Sequence, residues 1–366
     1  MKIAICHQTF ADGDAIGRDI AGMYRTLEEC GCSPFVLCQC NVARKFMGKV
    51  KYITDGTALR DVDLIIYHHS QDWPAGRTLL DVRDEPVVFK FHNITPPRFF
   101  SNYSPDYEVR CRLGEQLTEH LLHRQSGDIW LSASHYNRDA LLAKHPNDTS
   151  NFVAPPFNQV SNLLGKRNLA ASTDKRVRFL FAGRFVPNKG HNHVLRFAHA
   201  YRALFGPNFE ITIVGARDPA LAIYWHEFTC LVHELDLREH IHVFDHVSDP
   251  FLHELFRNAH AYISFSEHEG FCVPIIEAQA IGLPVVGSGA TAVRETSGGG
   301  QFVGTAPSNQ SDYEFYAELA HLAVRDDAVR CTLKHNGFRN VTTRFTDDVV
   351  ENAFLEPILS LLLALR

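Results

Sequence analysis

Arg184 and Lys189 stand in "FLFAGRFVPNKGHNH", between an apolar run that ends at Gly183 and a helical pattern that starts near Gly190. A cation at a helix N-terminus opposes the positive end of the helix dipole unless an anion is shared between them. Arg offers a planar fork of donors and Lys a mobile point charge, a pair suited to the oxygens of a diphosphate. The plainer alternative is two solvated loop cations. Between Asp174 and Glu210 the sequence has no acid to neutralise them, while Lys175, Arg176, Arg178, Arg196 and Arg202 add to the same sign. A local basic region in a chain of net charge −6 points to a small anionic ligand rather than a polymer.

A second stretch, "EGFCVPIIEAQAIG", follows the apolar run "AYISFS". Pro274 suits the first turn of a helix and Gly282 its end, so the backbone N–H groups of Gly270, Phe271 and Cys272 fall near a helix N-terminus, where phosphate binds. Glu277 sits about one turn into that helix among apolar neighbours, where an unpaired carboxylate costs several kcal/mol. A ribose diol would supply two donors; a half-exposed helix residue favoured by the dipole is the competing reading. Glu269, in the loop, is placed to meet a sugar or a charged neighbour.

His92 ends the strand-like run "PVVFKFH", and "NITPP" after it must be extended, because residues before proline avoid the helical region. His68 and His69 in "YHHSQDW" share that topological place with a weaker claim. Gly13 and Gly17 in "TFADGDAIGRDIAG" permit a tight turn before a helix that Asp14 can cap. The pattern is not Gly-x-Gly-x-x-Gly, and the chain has no Gly-Lys-Ser or Gly-Lys-Thr, which disfavours a dinucleotide fingerprint and a P-loop. The acid pairs at Asp12/Asp14 and Asp61/Asp63 read as loop and capping residues, and no metal is expected.

The elements that position these residues alternate throughout. "KIAICHQ", "DLIIYHH", "PVVFKFH" and "DIWLSAS" are strand-like, and helical patterns separate them; after a lapse near 155–175 the alternation restarts with "VRFLFAG", "FEITIVG", "HIHVFDH", "AYISFS" and "LPVVGS". Such alternation predicts two doubly wound α/β units with parallel sheets, whose ligands bind beyond the carboxyl ends of the strands. The 366 residues, 45 % of them hydrophobic, suffice for two cores. Nine scattered cysteines fit reduced thiols, the net charge argues against nucleic acid, and no stretch reads as a membrane span or signal peptide, so a cytoplasmic protein is expected.

Taken together, "GRFVPNKG" and "EGFCVPIIEAQAIGLPVV" resemble the donor site of the retaining glycosyltransferases of family four, the group 1 glycosyl transferases. "GDAIGRDI" and "FHNITPPRFF" resemble amino-terminal stretches of bacterial members that build surface polysaccharide and lipopolysaccharide, often mannosyltransferases. The resemblance implies the GT-B fold, two doubly wound Rossmann-like domains facing across a cleft. An acceptor-side domain would span 1–165, with the helix at 346–366 packing back on it, and a nucleotide-sugar donor domain 170–345.

By the same resemblance Arg184 and Lys189, following Gly183, hold the donor diphosphate, Glu277 the ribose hydroxyls, and Glu269 stands near the transferred sugar. Backbone of Gly270, Phe271, Cys272 and Val273 contacts sugar or phosphate, His92 contacts the donor sugar, and Gly13 lies near phosphate and acceptor. Cys272 departs from relatives that carry a small residue such as glycine, which bears on the sugar's fit. The implied reaction is metal-independent, retaining transfer of a hexose, mannose favoured, from a GDP- or UDP-linked donor to a glycan or lipid-linked saccharide, with no cofactor. A lipid-linked acceptor would bring the chain to the inner membrane face, where "ARKFMGKVK" offers a basic contact. Phe99, Phe100 and Tyr103 in "PPRFFSNY" are expected to be an exposed acceptor surface. Two other readings stand beside this one: a nucleotide-sugar epimerase of the same fold, and a non-catalytic nucleotide-binding assembly subunit.

Overall fold

Runs of Val, Ile, Leu and Phe, too apolar to alternate between core and water, form strands buried on both faces of two parallel sheets, each flanked by helices. The computed structural model describes residues 1–41, 43, 46, 49–53, 59, 61–81, 86–124, 127–146, 150–166 and 176–364. Residues 167–175 of the expected linker, Lys175 among them, and Arg44, Lys45, Met47 and Gly48 of the expected basic contact lie outside these.

Two units separate: Met1–Pro97, Asp106–Asn158 and Asp347–Arg366 form the first, and Arg98–Pro105 with Gln159–Thr346 the second. In the first, seven strands lie in the order Val50–Tyr52, Ser33–Cys38, Lys2–Cys6, Leu64–His69, Val87–Phe91, Ile129–Ser132 and Asn151–Val153, all parallel. Its core joins Ile3, Ile5, Val36 and Ile66 to Ile20, Met23 and Leu27 of the helix Ala15–Glu29 and to Val350, Phe354, Ile358 and Leu362 of the helix Asp347–Ala364.

The second unit repeats the plan with six strands: Ile241–Phe244, Phe209–Val214, Val177–Ala182, Ala261–Ser264, Val285–Ser288 and Phe302–Gly304, again parallel. In both sheets the chain runs outward from its first strand, returns, and continues on the other side. The order reverses beside Lys2–Cys6 in one and Val177–Ala182 in the other, and the crevice beyond the carboxyl ends at such a point is where doubly wound sheets bind ligands. No helix among the described residues is long and apolar enough to cross a membrane.

Candidate functional site

At the reversal point of the second sheet, the loops after Val177–Ala182 and Ala261–Ser264 meet. The first turns through a 3-10 segment, Pro187–Lys189, into the helix His191–Phe205, with Gly190 left-handed at φ 67°. A Cβ on Gly190 would lie 2.2 Å from the Phe265 carbonyl oxygen, so glycine is what lets this turn press against the second loop. Asn188 fastens the two: its Nδ2 donates to the His268 carbonyl at 2.9 Å, and its carbonyl accepts from Glu267 N–H at 2.8 Å. Thr291 holds the far side, accepting from Glu269 N–H at 2.8 Å and donating to Glu269 O at 3.0 Å.

Within this frame Lys189 Nζ lies 2.5 Å from Glu269 Oε1, both side chains largely withdrawn from water. The lysine stem crosses Gly183, where a Cβ would stand 3.4 Å from Lys189 Cδ. Arg184 is exposed. The sequence region that lacked acids is thus neutralised from elsewhere in the fold: Glu269 meets Lys189, Glu210 meets Arg176 at 3.3 Å and Asp236 meets Arg202 at 3.2 Å. Of the wider basic region, Arg176 and Arg202 hold structure.

The helix Val273–Ile281 begins behind the same loop with Pro274 in its first turn and no side chain capping its amides. Cys272, its N-cap, has φ 77°, and Thr291 has φ 51°, two side-chain-bearing residues in a region that favours glycine. Such conformations cost about 1–3 kcal/mol each and cluster where function over-determines the backbone. Phe271, Cys272 and Val273 are buried and Gly270 half-buried. Glu277 is 2 % exposed, on a helix whose neighbouring side chains are buried too. Burial pushes the Cys272 thiol well above its ordinary value, with the Glu269 carboxylate adding to the effect. Tyr262 donates to the Ala182 carbonyl at 3.0 Å, and burial, with Cys272, Glu269 and Glu277 nearby, keeps its hydroxyl protonated. Burial brings His268 down to about 4, so this loop holds a neutral imidazole at pH 7.

The expected acceptor surface differs from its description. Phe100 is 3 % exposed and Phe99 and Tyr103 are half-buried. Tyr103 packs edge-on to Tyr224 and donates to Glu227 Oε2 at 2.9 Å. Phe99 and Tyr103 are spent on packing within the second unit and Phe100 is buried, so the three are not a free patch.

In the first unit, His92 follows Val87–Phe91, and its Nε2 lies 2.9 Å from His68 Nδ1. His68, rated below His92 on sequence, is therefore its direct partner. Lys90 and Asp19, each fully buried, complete the cluster, with Lys90 Nζ 3.8 Å from Asp19 Oδ2. Asp19 Oδ1 accepts from Phe157 N–H at 2.9 Å, and Lys90 donates to the Ala154 carbonyl. Burial pushes Asp19 up and Lys90 down, each opposed by the other's charge, and the pair has zero net charge wherever its proton sits. Burial also drives His68 and His92 well below 6.5.

Asp19 Oδ2, His68 Nδ1 and His92 Nε2 are the group among the described residues that could hold a metal ion. The two nitrogens are at hydrogen-bond length, 2.9 Å apart, and the carboxylate oxygen stands 3.7 and 3.9 Å from them. The Lys90 ammonium already offers that carboxylate a positive charge. Gly13, exposed at φ 80°, turns the chain into the helix that Asp14 caps.

Asp19, Lys90, Asn188, Tyr262, His268 and Thr291 were not singled out from sequence. Lys90 alone gave a signal, a cation inside "VVFKFH" where every other residue is apolar or aromatic.

With this geometry in place, residues 166–337 match the family described as Glycosyl transferases group 1. The chain is 24 % identical over 174 residues to the capsular polysaccharide biosynthesis glycosyltransferase CapM of Staphylococcus aureus, covering 46 % of this chain and 42 % of that protein. It is 34 % identical over 113 residues to the serotype-specific mannosyltransferase WbdA of Escherichia coli, covering 30 % of this chain and 13 % of WbdA. The matches thus span less than half the length of these relatives. The crystal structure of Anabaena Alr3699/HepE in complex with UDP and glucose aligns with a TM-score of 0.77 at 18 % identity, covering 98 % of this chain and all of that one. The architecture is GT-B, and the match to the group 1 glycosyl transferases takes in the motifs at Arg184–Lys189 and Glu269–Glu277.

Proposed function

We propose that this chain, whose second unit belongs to the group 1 glycosyltransferases, transfers a hexose from a nucleoside-diphosphate sugar to a saccharide acceptor in surface polysaccharide synthesis, with retention of configuration and without a metal ion. The observation that carries the proposal is the Lys189–Glu269 pair, set between two loops at the sheet's reversal point and beside the open N-terminus of Val273–Ile281.

When the bond from the anomeric carbon to the diphosphate breaks, negative charge grows on the leaving oxygens. Arg184, Lys189 and the first-turn amides stabilise that charge more than they stabilise the intact donor. Glu269 keeps Lys189 extended over Gly183 before the donor arrives, so little reorganisation remains for the reaction itself. Glu277 accepts from the ribose hydroxyls, and an oxygen of the departing phosphate takes the acceptor's proton. Three positive groups at the diphosphate do the work for which other transferases use a divalent cation. The similarity to WbdA favours mannose, and that to CapM a role in capsular polysaccharide synthesis.

The test is turnover of GDP-mannose and of UDP-glucose with oligosaccharide acceptors in the presence of EDTA, followed by the anomeric proton coupling of the product. The account expects nucleoside diphosphate release and an α-linked product from an α-linked donor. Return of an epimerised sugar with its nucleotide bond intact would make the chain an epimerase, and an inverted product would end the retaining mechanism.

A further inference from the structure

Hydrogen bonds in the first unit fix which nitrogen of each buried histidine carries its proton. His7 Nδ1 faces the Thr9 carbonyl at 2.6 Å, and a carbonyl only accepts, so His7 is protonated on Nδ1 and its Nε2 accepts from the Ser70 hydroxyl at 3.1 Å. Thr118 gives its hydroxyl proton to the Gly114 carbonyl at 2.9 Å, so His69 donates to Thr118 Oγ1 from Nε2 at 2.8 Å. That leaves His69 Nδ1 as a bare buried lone pair without a partner.

The contact between His68 Nδ1 and His92 Nε2 holds one proton and permits two arrangements. If His92 donates, His68 must carry its own proton on Nε2, which is buried and has no partner. If His68 donates from Nδ1, the unpartnered Nε2 is only a lone pair, the state His69 already tolerates. An orphaned buried N–H is the rarer and costlier of the two. The same arrangement puts the other proton of the pair on Nδ1 of His92, whose side chain is 11 % exposed while that of His68 is fully buried. Asp19 Oδ2, 3.9 Å from one nitrogen and 3.7 Å from the other, attracts the shared proton without choosing between them.

We infer that His68 is a positioning residue that holds His92 as the Nδ1–H tautomer, so that His92 offers its ligand a hydrogen-bond donor and never a basic lone pair. His92 therefore recognises an acceptor oxygen, such as a sugar hydroxyl lone pair, and is not the group that deprotonates the acceptor. The groups facing it are Lys90 on its own strand, His68 and His69 on the neighbouring strand, His7 after the first strand and Asp19 on the helix; of these only Asp19 is anionic. No facing group but that one carboxylate, shared with Lys90, favours an imidazolium. The importance of the donor rests on the sugar contact expected of His92, whereas the tautomer itself does not.

The experiment is ¹⁵N-edited NMR of the full chain with labelled histidine, the His92 signals being those lost in His92→Asn. The expected spectrum has a pyrrole-type Nδ1 and a pyridine-type Nε2 at His92, unchanged in His68→Asn, whose amide keeps a donor at the Nδ1 position. A pyrrole-type Nε2 in the unsubstituted chain overturns the inference. In turnover of GDP-mannose or UDP-glucose, His92→Asn should retain activity within about 10-fold, because its amide N–H replaces Nδ1–H, while His92→Asp falls further through KM and kcat together. The predicted tautomer with turnover insensitive to every His92 substitution leaves the positioning intact and removes His92 from the proposed sugar site. A rate that follows the deprotonation of a single group lost in His92→Asn contradicts the donor assignment directly.

Discussion

Lys189 Nζ and Glu269 Oε1 lie 2.5 Å apart across eighty residues of sequence, the ammonium on one loop and the carboxylate on the next strand's loop. With both side chains nearly out of water, loss of either partner strands a charge, which costs about 3 kcal/mol. Lys189→Ala and Glu269→Ala should each lower the unfolding midpoint, and a double-mutant cycle should return a coupling of about 1–3 kcal/mol. Additive effects would mean that the pair is incidental.

Arg184 is exposed and supports no fold element, so its removal should separate binding from stability. Arg184→Ala is expected to keep the unfolding midpoint within a degree or two while weakening donor use roughly 10- to 150-fold, from about 1.5–3 kcal/mol per charge-assisted contact. Steady-state kinetics with the accepted donor reads this directly; unchanged kinetics removes Arg184 from the diphosphate.

How far the sequence reached depends on the kind of residue. Apolar runs of strand length bounded by turn residues made both sheets legible, and Gly183, Lys189, Gly190 and Pro274 marked loop and helix boundaries that the structure repeats. Contacts between distant segments were not legible. Glu269 is one acid among 42 in the sequence, and only strand order brings it to Lys189. Nothing in "AIGRDIAG" distinguishes Asp19 from a solvated helix acid, yet it is fully buried beside Phe157 N–H and Lys90. Phe100 reads as a surface ring and is buried, because its loop is packed with the second unit's helices.

The Asp19–Lys90 pair gives a stability prediction independent of function. Asp19→Asn or Lys90→Met alone should cost about 3–5 kcal/mol, because each leaves the other ionisable group buried without its counter-charge. The double substitution should be more stable than either single one in urea denaturation. A double variant as unstable as the sum would show that the pair's hydrogen bonds to Phe157 and Ala154, rather than its charge balance, hold this region.

Buried histidines make stability fall with acid. Burial lowers His69 to about 3, against 6.5 for an unfolded histidine, so between these values the unfolded chain binds a proton that the native chain does not. The native state is then favoured as pH rises: the contribution is complete above pH 6.5 and is lost progressively toward pH 3, by about 1.4 kcal/mol per pH unit. His69→Gln keeps a donor for Thr118 and has no proton to gain, so it should flatten the slope by about that amount between pH 6 and 4. An unaltered slope would place the titration elsewhere.

The nine cysteines should divide by position under alkylation of the native protein. Cys40, Cys230 and Cys331 are exposed and should be modified first, whereas Cys272 is buried with its thiol pushed up and Cys38 is raised to about 11. Peptide mapping after brief iodoacetamide treatment at pH 8 checks the order, and early labelling of Cys272 would mean that its loop opens in solution.

The central claim, a metal-free diphosphate site on the second unit, is tested most directly by thermal unfolding with GDP, UDP, ADP and CDP in parallel, each with and without EDTA. A ligand at about 100 times its dissociation constant adds roughly 2.7 kcal/mol, enough to raise the midpoint by several degrees. The account predicts that one diphosphate stabilises the chain, that EDTA leaves the shift unchanged, and that Arg184→Ala and Glu277→Gln each reduce it. A shift abolished by EDTA, or no shift with any of the four, would contradict it.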